Sequence, residues 1–188
     1  MYHDGNRSLQ DRFDSRRIAD RLVEVLHRER FTAEDREFIE GRSMFFLATA
    51  DAGGWPDCSY KGGRPGFVRV ISDDTLVFPS YDGNGMFKSV GNLLANPRVG
   101  MLFMDFEKPK RLRVNGTASI DFSDPLLGGF EGAQLVVRVR AEHIFPNCPR
   151  YIHRMALEEI SVYAPVAGHE PPTPAWKEME AFRDYLPR

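Results

Sequence analysis

From Met44 to Phe145 the chain is a close succession of short β-prone runs separated by turns rich in glycine, aspartate and asparagine. This rhythm confines the fold more than any other feature. Met44 to Ala50 is apolar, Asp51-Ala52-Gly53-Gly54 is a turn signal, and Trp55 to Tyr60 reads as the returning strand. Lys61 to Gly66 reads as a loop, Phe67 to Ile71 as a strand, Ser72 to Asp74 as its turn, and Thr75 to Pro79 as the next strand. A polar loop, Ser80 to Gly85, leads into a short helix over Met86 to Ala95, which ends before Asn96-Pro97. Val99 to Met104 is another apolar strand, and Glu107 to Lys110 a charged turn. Arg111 to Ile120 alternates, with Leu112 and Val114 on one face and Arg111 and Arg113 on the other. Ser123 to Ala133 has room for a short helix, and Gln134 to Phe145 is a further alternating strand.

The flanks have a different texture. Ile18, Leu22, Val25 and Leu26 recur at helical spacing, and Thr32 before Ala-Glu-Asp predicts the N-cap of a second helix running to about Gly41. This region reads either as a partner-binding arm or, more simply, as a helical lid over one barrel end. Pro171 to Pro174 is a rigid spacer, and Ala175 to Tyr185 fits an amphipathic helix. Six or seven short strands in quick succession, with helices around them, argue a mainly β (α+β) fold built as a barrel or sandwich, not a parallel α/β sheet. Most of these strands are apolar on both faces, which closure into a barrel or burial in a dimer would explain.

Composition excludes several classes. With 188 residues, 42% of them hydrophobic, the chain supports one sizeable core. A formal net charge of −2 gives no basic excess to hold a polyanion, so nucleic acid is not an expected partner. The apolar run at Met44 to Ala48 falls far short of the roughly 20 residues a spanning helix needs, so no membrane association is expected. Met1 to Arg17 is polar and lacks the apolar stretch of a secretory signal. Cys58 and Cys148 sit in no CxxC or His/Cys cluster. Both read as reduced thiols, and the expected location is cytoplasmic. His3, His27, His143, His153 and His169 are scattered, with none at metal-ligand spacing. There is no GxGxxG, no GxxxxGK[ST] and no GxSxG.

Three clusters carry possible chemistry. Ser80, Asn84, Lys88, Ser89 and Asn92 lie on the loop and the helix after it, where Gly83 and Gly85 allow tight bending. A lysine, a hydroxyl and an amide in the first turns of a helix suit a phosphate, with the helix N-terminus adding its positive end. A capped surface helix behind a polar loop is the alternative. Arg111 and Arg113 share a strand face, which also describes two exposed arginines on a barrel wall. Ser59-Tyr60-Lys61 ends a strand before a Gly-Gly loop.

Met44 to Ile120 resembles the FMN-binding split-barrel proteins related to pyridoxamine-5′-phosphate oxidase. The shared order is a strand ending in Ala48-Thr49, a glycine-bearing hairpin, Pro56 opening the next strand, and Leu76-Val77-Phe78 closing another. The loop with Lys88-Ser89 follows, then Asn96-Pro97-Arg98-Val99, Gly100 to Phe103, and Arg111 to Gly116. The resemblance implies a six-stranded split β-barrel with flanking helices, dimeric, with one FMN in each groove between subunits. It divides the chain into an N-terminal helical segment (1–42), an FMN-binding barrel (43–165), and a Pro-rich spacer with a helix (166–188). It implies that Ser59, Tyr60 and Lys61 contact the flavin ring, Pro79 and Ser80 the flavin and ribityl, Lys88 and Ser89 the phosphate, and Arg111 the pyrimidine edge. Asn84 belongs to the same loop; Arg113 and Asn92 join on same-face geometry.

Two departures bear on activity. Gly62 to Gly66 interrupts what is a continuous strand in the oxidase, and the oxidase's C-terminal Arg-x-His substrate grip is missing. The resemblance therefore implies a flavin-dependent oxidoreductase acting on an unknown small molecule, not the oxidase itself. No residue announces itself as an acid or base for the substrate; Tyr60 and Tyr81 are the only candidates for either role. The alternatives are an FMN store or sensor, or a split barrel carrying a deazaflavin or haem.

Overall fold

The computed structural model describes residues 1–187. Three helices come first: α1 (Asp4–Arg12), α2 (Arg16–Leu26) and α3 (Ala33–Glu40). The cap expected at Thr32 forms. Its hydroxyl accepts the Asp35 N–H at 3.1 Å while Asp35 accepts the Thr32 N–H at 3.0 Å, so two orphan donors are satisfied reciprocally. Asp35 is buried, and its carboxylate also takes the Arg28 guanidinium at 2.7 Å.

Seven strands then build one antiparallel sheet: β1 (Met44–Ala50), β2 (Pro56–Gly62), β3 (Arg69–Val70), β4 (Thr75–Tyr81), β5 (Arg98–Asp105), β6 (Lys110–Asp121) and β7 (Ala133–Pro146), with helix α4 (Lys88–Ala95) between β4 and β5. Their order is β2-β1-β5-β6-β7-β4-β3. The sheet curls on itself: Phe45 of β1 packs edge-on to Phe78 of β4, ring centres 5.1 Å apart, although three strands lie between them in the sheet. Phe45, Leu47, Met101, Phe103, Val114 and Ile144 fill the enclosed core. Where the β2 and β3 edges face each other without pairing, α3 closes the gap. The Glu40 carbonyl accepts the Gly66 N–H at 2.7 Å, and the Glu40 carboxylate accepts the Val70 N–H at 2.9 Å.

The architecture is the split barrel with flanking helices that the sequence implies, with seven strands instead of six because β3 forms a two-residue edge. Phe67 and Val68 are buried but do not join that ladder. Strand β2 runs on through Gly62, where a loop was expected, and Gly63 then sits so close to the Phe67 ring that a Cβ would come within 2.5 Å of it. Helix α4 begins at Lys88, not Met86, because Phe87 is left-handed at φ 48°. The expected helix in Ser123 to Ala133 shrinks to a 3-10 turn at Leu127–Gly129. The C-terminal helix splits into α5 (Ala175–Glu178) and α6 (Glu180–Arg183), with Met179 extended between them. Neither piece buries a residue, so no packing holds a continuous helix together. Among the described residues no helix is long and apolar enough to cross a membrane.

Candidate functional site

Period-two alternation puts Asp57, Ser59 and Lys61 of β2 on one face, and that face meets the start of α4. The helix is pinned by its other side. Leu93 enters the core, and the Asn92 amide donates to the buried Thr49 hydroxyl at 3.0 Å. The pinning aims Ser89 at β2, where its hydroxyl lies 2.9 Å from that of Ser59 and accepts the Lys61 ammonium at 3.2 Å. No side chain caps α4, so its first N–H groups are left for whatever enters.

A polar cavity of about 330 Å³ opens there, lined by Asp57, Ser59, Lys61, Ser80, Asn84, Lys88 and Ser89 among others. An adjoining cavity of about 270 Å³ shares Lys61, Ser80 and Tyr81, and is walled by Leu47, Tyr60, Phe78, Pro79 and Leu93. One end of the combined cleft is therefore cationic and hydroxylic, and the other apolar. Burial pulls the Lys61 pKa below the ordinary lysine value, with the Asp57 carboxylate offsetting part of the effect. Among the described residues Lys61 has no ion-pair partner. Burial also pushes the Tyr81 phenol up, against the pull of Arg69, so Tyr81 is a neutral hydrogen-bond donor near pH 7. A half-buried ammonium with one carboxylate nearby but no direct ion pair can still receive an anion.

Eight residues expected at the site thus meet in one cleft: Ser59, Tyr60, Lys61, Pro79, Ser80, Asn84, Lys88 and Ser89. Asn92 does not join them; its amide is spent on Thr49, on the core side of α4. Arg111 and Arg113 do not join them either within one chain. Strands β1 and β5 separate β6 from β2, and both arginines point to the outer face of the sheet. They line a different cavity of about 510 Å³, under α1 and α2. Sequence reasoning did not find Asp57 as part of the electrostatics, although its i, i+2, i+4 spacing to Ser59 and Lys61 was a usable signal. It also did not find a larger cavity, about 1,160 Å³, where residues 163–177 arch over Tyr81–Asn84 and Glu131–Gly132. No local pattern marks that space.

The histidines read as scattered are not all apart. His27 Nε2 and His143 Nδ1 are 2.8 Å from each other, joining the end of α2 to β7. Among the described residues no group of three metal-ligating side chains exists. Cys58 and Cys148 are both free and exposed.

Residues 31–162 match the family model described as pyridoxamine 5′-phosphate oxidase. Solved structures of similar shape include one from Lactobacillus delbrueckii named as a 'putative pyridoxamine 5′-phosphate oxidase', 22% identical, covering 63% of this chain and 95% of that one, with a TM-score of 0.51. Another is HupZ of Group A Streptococcus, 22% identical, covering 67% and 99%, with a TM-score of 0.50. An FMN-binding protein from Syntrophomonas wolfei is 16% identical, covering 76% and 96%, with a TM-score of 0.44. At such identities the likeness to solved structures is one of fold. No curated protein sequence matches the chain.

Proposed function

Since this chain belongs to the pyridoxamine 5′-phosphate oxidase family, we propose that it is an FMN-binding flavoprotein and a flavin-dependent oxidoreductase acting on a small molecule. The observation that carries this reading is the cleft in which the half-buried Lys61 ammonium, the Ser59 and Ser89 hydroxyls, Lys88 and the uncapped start of α4 converge. That donor set suits a phosphate monoester, with two cations, hydroxyls and free N–H groups outweighing the one carboxylate, Asp57, that lines the same cavity and lies 3.5 Å from the Ser89 hydroxyl. The apolar neighbouring cavity fits a flat aromatic ring. FMN, when bound, supplies hydride transfer. The chain's own residues hold the phosphate through Lys61, Lys88 and Ser89, set the depth of the ring against Pro79 and Leu47, and offer the neutral Tyr81 phenol as a proton source.

The working form in this reading is a homodimer in the cytoplasm, a reducing setting consistent with two free, exposed thiols. The outer face of β2, β1 and β5 supports the dimer. In register, Tyr60, Phe46 and Leu102 form a row, and Tyr60 is 63% exposed. Such a row is costly in water and suited to a second copy of the chain. Arg111 and Arg113 lie on the same outer face, so any flavin they reach is one held by the partner's cleft. The large cavity beside the cleft offers space for a substrate. That the sequence carries no Arg-x-His motif like the oxidase's substrate grip supports a substrate other than pyridoxamine 5′-phosphate.

The absorption spectrum of the purified protein, with mass spectrometry of the released ligand, tests the reading. Flavin bands and released FMN, at one per chain, support it. Released deazaflavin or haem, or a colourless protein that takes up no added FMN, overturns it. Stoichiometric FMN that no reductant–acceptor pair can cycle would leave a storage or sensor protein.

A further inference from the structure

Beside the phosphate cleft the chain builds a vault from segments far apart in sequence. Residues 163–177 arch over Tyr81–Asn84, at the end of β4, and over Glu131–Gly132, before β7, and enclose about 1,160 Å³. Both ends of the arch are seated. At one end Pro165 lies against Gly132, where φ is +68° and a Cβ would come within 3.1 Å of the proline ring; a side chain there would be strained and would push the arch away. At the other end the Lys177 ammonium pairs with Asp82 at 2.7 Å. Between them Pro171, Pro172 and Pro174 stiffen the wall, so a ligand has little left to order. The vault adjoins the cleft: Tyr81 and Gly83 line it and both cavities of the cleft. Its charge is the opposite of the cleft's. Asp82, Glu131 and Glu170 line it against one lysine, Lys177, which is spent on Asp82. His169, the other basic side chain in the wall, donates to the Val162 carbonyl at 3.2 Å. Among the described residues neither Glu131 nor Glu170 has an ion-pair partner. The rest of the lining is mostly apolar and includes the rings of Tyr81, Tyr163 and Trp176, whose faces attract positive charge.

We propose that this vault is the substrate site, and that it takes an organic cation with an apolar aryl body and no phosphate. The cationic group lies among Glu131, Glu170 and the aromatic rings, where carboxylate charge and ring quadrupoles both favour it. The aryl body lies against Trp176 and the prolines. The same carboxylates repel a phosphate, and the one lysine that could hold it is already paired. The assignment as a substrate site rests on the flavin reading, since the vault adjoins the cleft in which FMN is placed; the preference for a cation does not.

The test uses the full chain as purified, with any flavin it releases identified first. Isothermal titration then compares three probes of similar shape: 3-phenylpropylammonium, the neutral 3-phenylpropan-1-ol and the anionic 3-phenylpropionate. The expected result is saturable binding of the ammonium, about tenfold weaker binding of the alcohol, and none of the carboxylate at millimolar concentration. Added salt should bring the ammonium toward the alcohol and leave the alcohol unchanged, since Glu131 and Glu170 are exposed. Replacing both, Glu131→Gln with Glu170→Gln, should do the same at low salt. FMN content, circular dichroism and melting point should be kept, because neither residue lines the cleft. Binding of the ammonium should also shift the flavin absorption bands. Equal affinity for ammonium and alcohol, a preference for the carboxylate, ammonium binding indifferent to the double replacement, or no binding of any probe overturns the proposal. Ammonium binding that leaves the flavin bands unmoved overturns the substrate assignment. A chain that releases no flavin yet binds the ammonium with this selectivity would sink the flavin reading, and the substrate assignment with it, and leave the cation site standing.

Discussion

Lys61→Met separates the phosphate-cleft reading from a merely structural lysine. The Lys61 ammonium is half-buried, donates to Ser89 at 3.2 Å, and has a pKa pulled down first by burial, with Asp57 partly opposing. A folded pKa below the unfolded one means that the unfolded chain binds the proton more readily. With this group alone, apo stability therefore rises as pH climbs from the folded toward the unfolded value, and falls as pH drops. Below that window the charged lysine is a cost to the empty protein, so Lys61→Met, which keeps the stem and removes the charge, should raise the apo melting temperature. Binding should respond in the opposite direction. A charge-assisted contact to phosphate is worth roughly 1.5–3 kcal/mol, so FMN affinity should fall about ten- to a hundredfold. Riboflavin has no phosphate and should be nearly unaffected. Because a bound phosphate pulls the Lys61 pKa back up, wild-type FMN affinity should decline as pH rises through the alkaline range, and the decline should be absent in Lys61→Met. Lys88→Ala should show the same preference with a smaller loss, since Lys88 is exposed and such pairs are worth only about 0–1 kcal/mol. Flavin fluorescence quenching at several pH values, with thermal melts of the apo proteins, reads all of this. Equal losses for FMN and riboflavin, or a lower apo melting point in the Met variant, would refute the reasoning.

Three further outcomes are expected. Light scattering at micromolar concentration should give the mass of two chains, through an apolar interface burying over about 2,000 Å² in total; Phe46→Glu, on the outer row beside the exposed Tyr60, should yield monomers, and a wild-type monomer retaining FMN contradicts the dimer. Asp124→Ala should destabilise by about 3 kcal/mol in chemical denaturation. Its buried carboxylate holds Arg138 with two hydrogen bonds, and removing it leaves a partly buried guanidinium unpaired. Arg138 holds the Asp124 carboxyl below its usual range, so this contribution is present at neutral pH and is lost as pH falls through that lowered value; a variant as stable as wild type at pH 7 would deny it. Pyridoxamine 5′-phosphate should not be oxidised at ordinary enzyme rates, ~1 s⁻¹ or more, and formation of the aldehyde at such a rate would show another grip on that substrate.

Most strands, their turns and the cap at Thr32 were legible in the residues alone, because each rests on neighbours a few residues apart; the short extent of β3 and the run of β2 through Gly62 were not. Alternation on β6, the turn at Asp51 to Gly54 and the break before Asn96-Pro97 are short-range facts that tertiary packing kept. Lys88 and Ser89 at the start of a helix were legible for the same reason. What the residues along α4 face was not. Burial of Leu93 and the Asn92–Thr49 bond set the rotation of the helix, and that rotation sends Ser89 to the cleft and Asn92 to the core. Lys61 meets Ser89 across 28 residues, and His27 meets His143 across 116. Arg111 and Arg113 share a strand face in the sequence, but that the N-terminal helices lie over that face, with both arginines lining one cavity beneath them, is decided by the tertiary structure. Periodicity can say which face of a strand a side chain is on. What covers that face depends on segments far along the chain, whose placement is decided by the packing of the whole barrel.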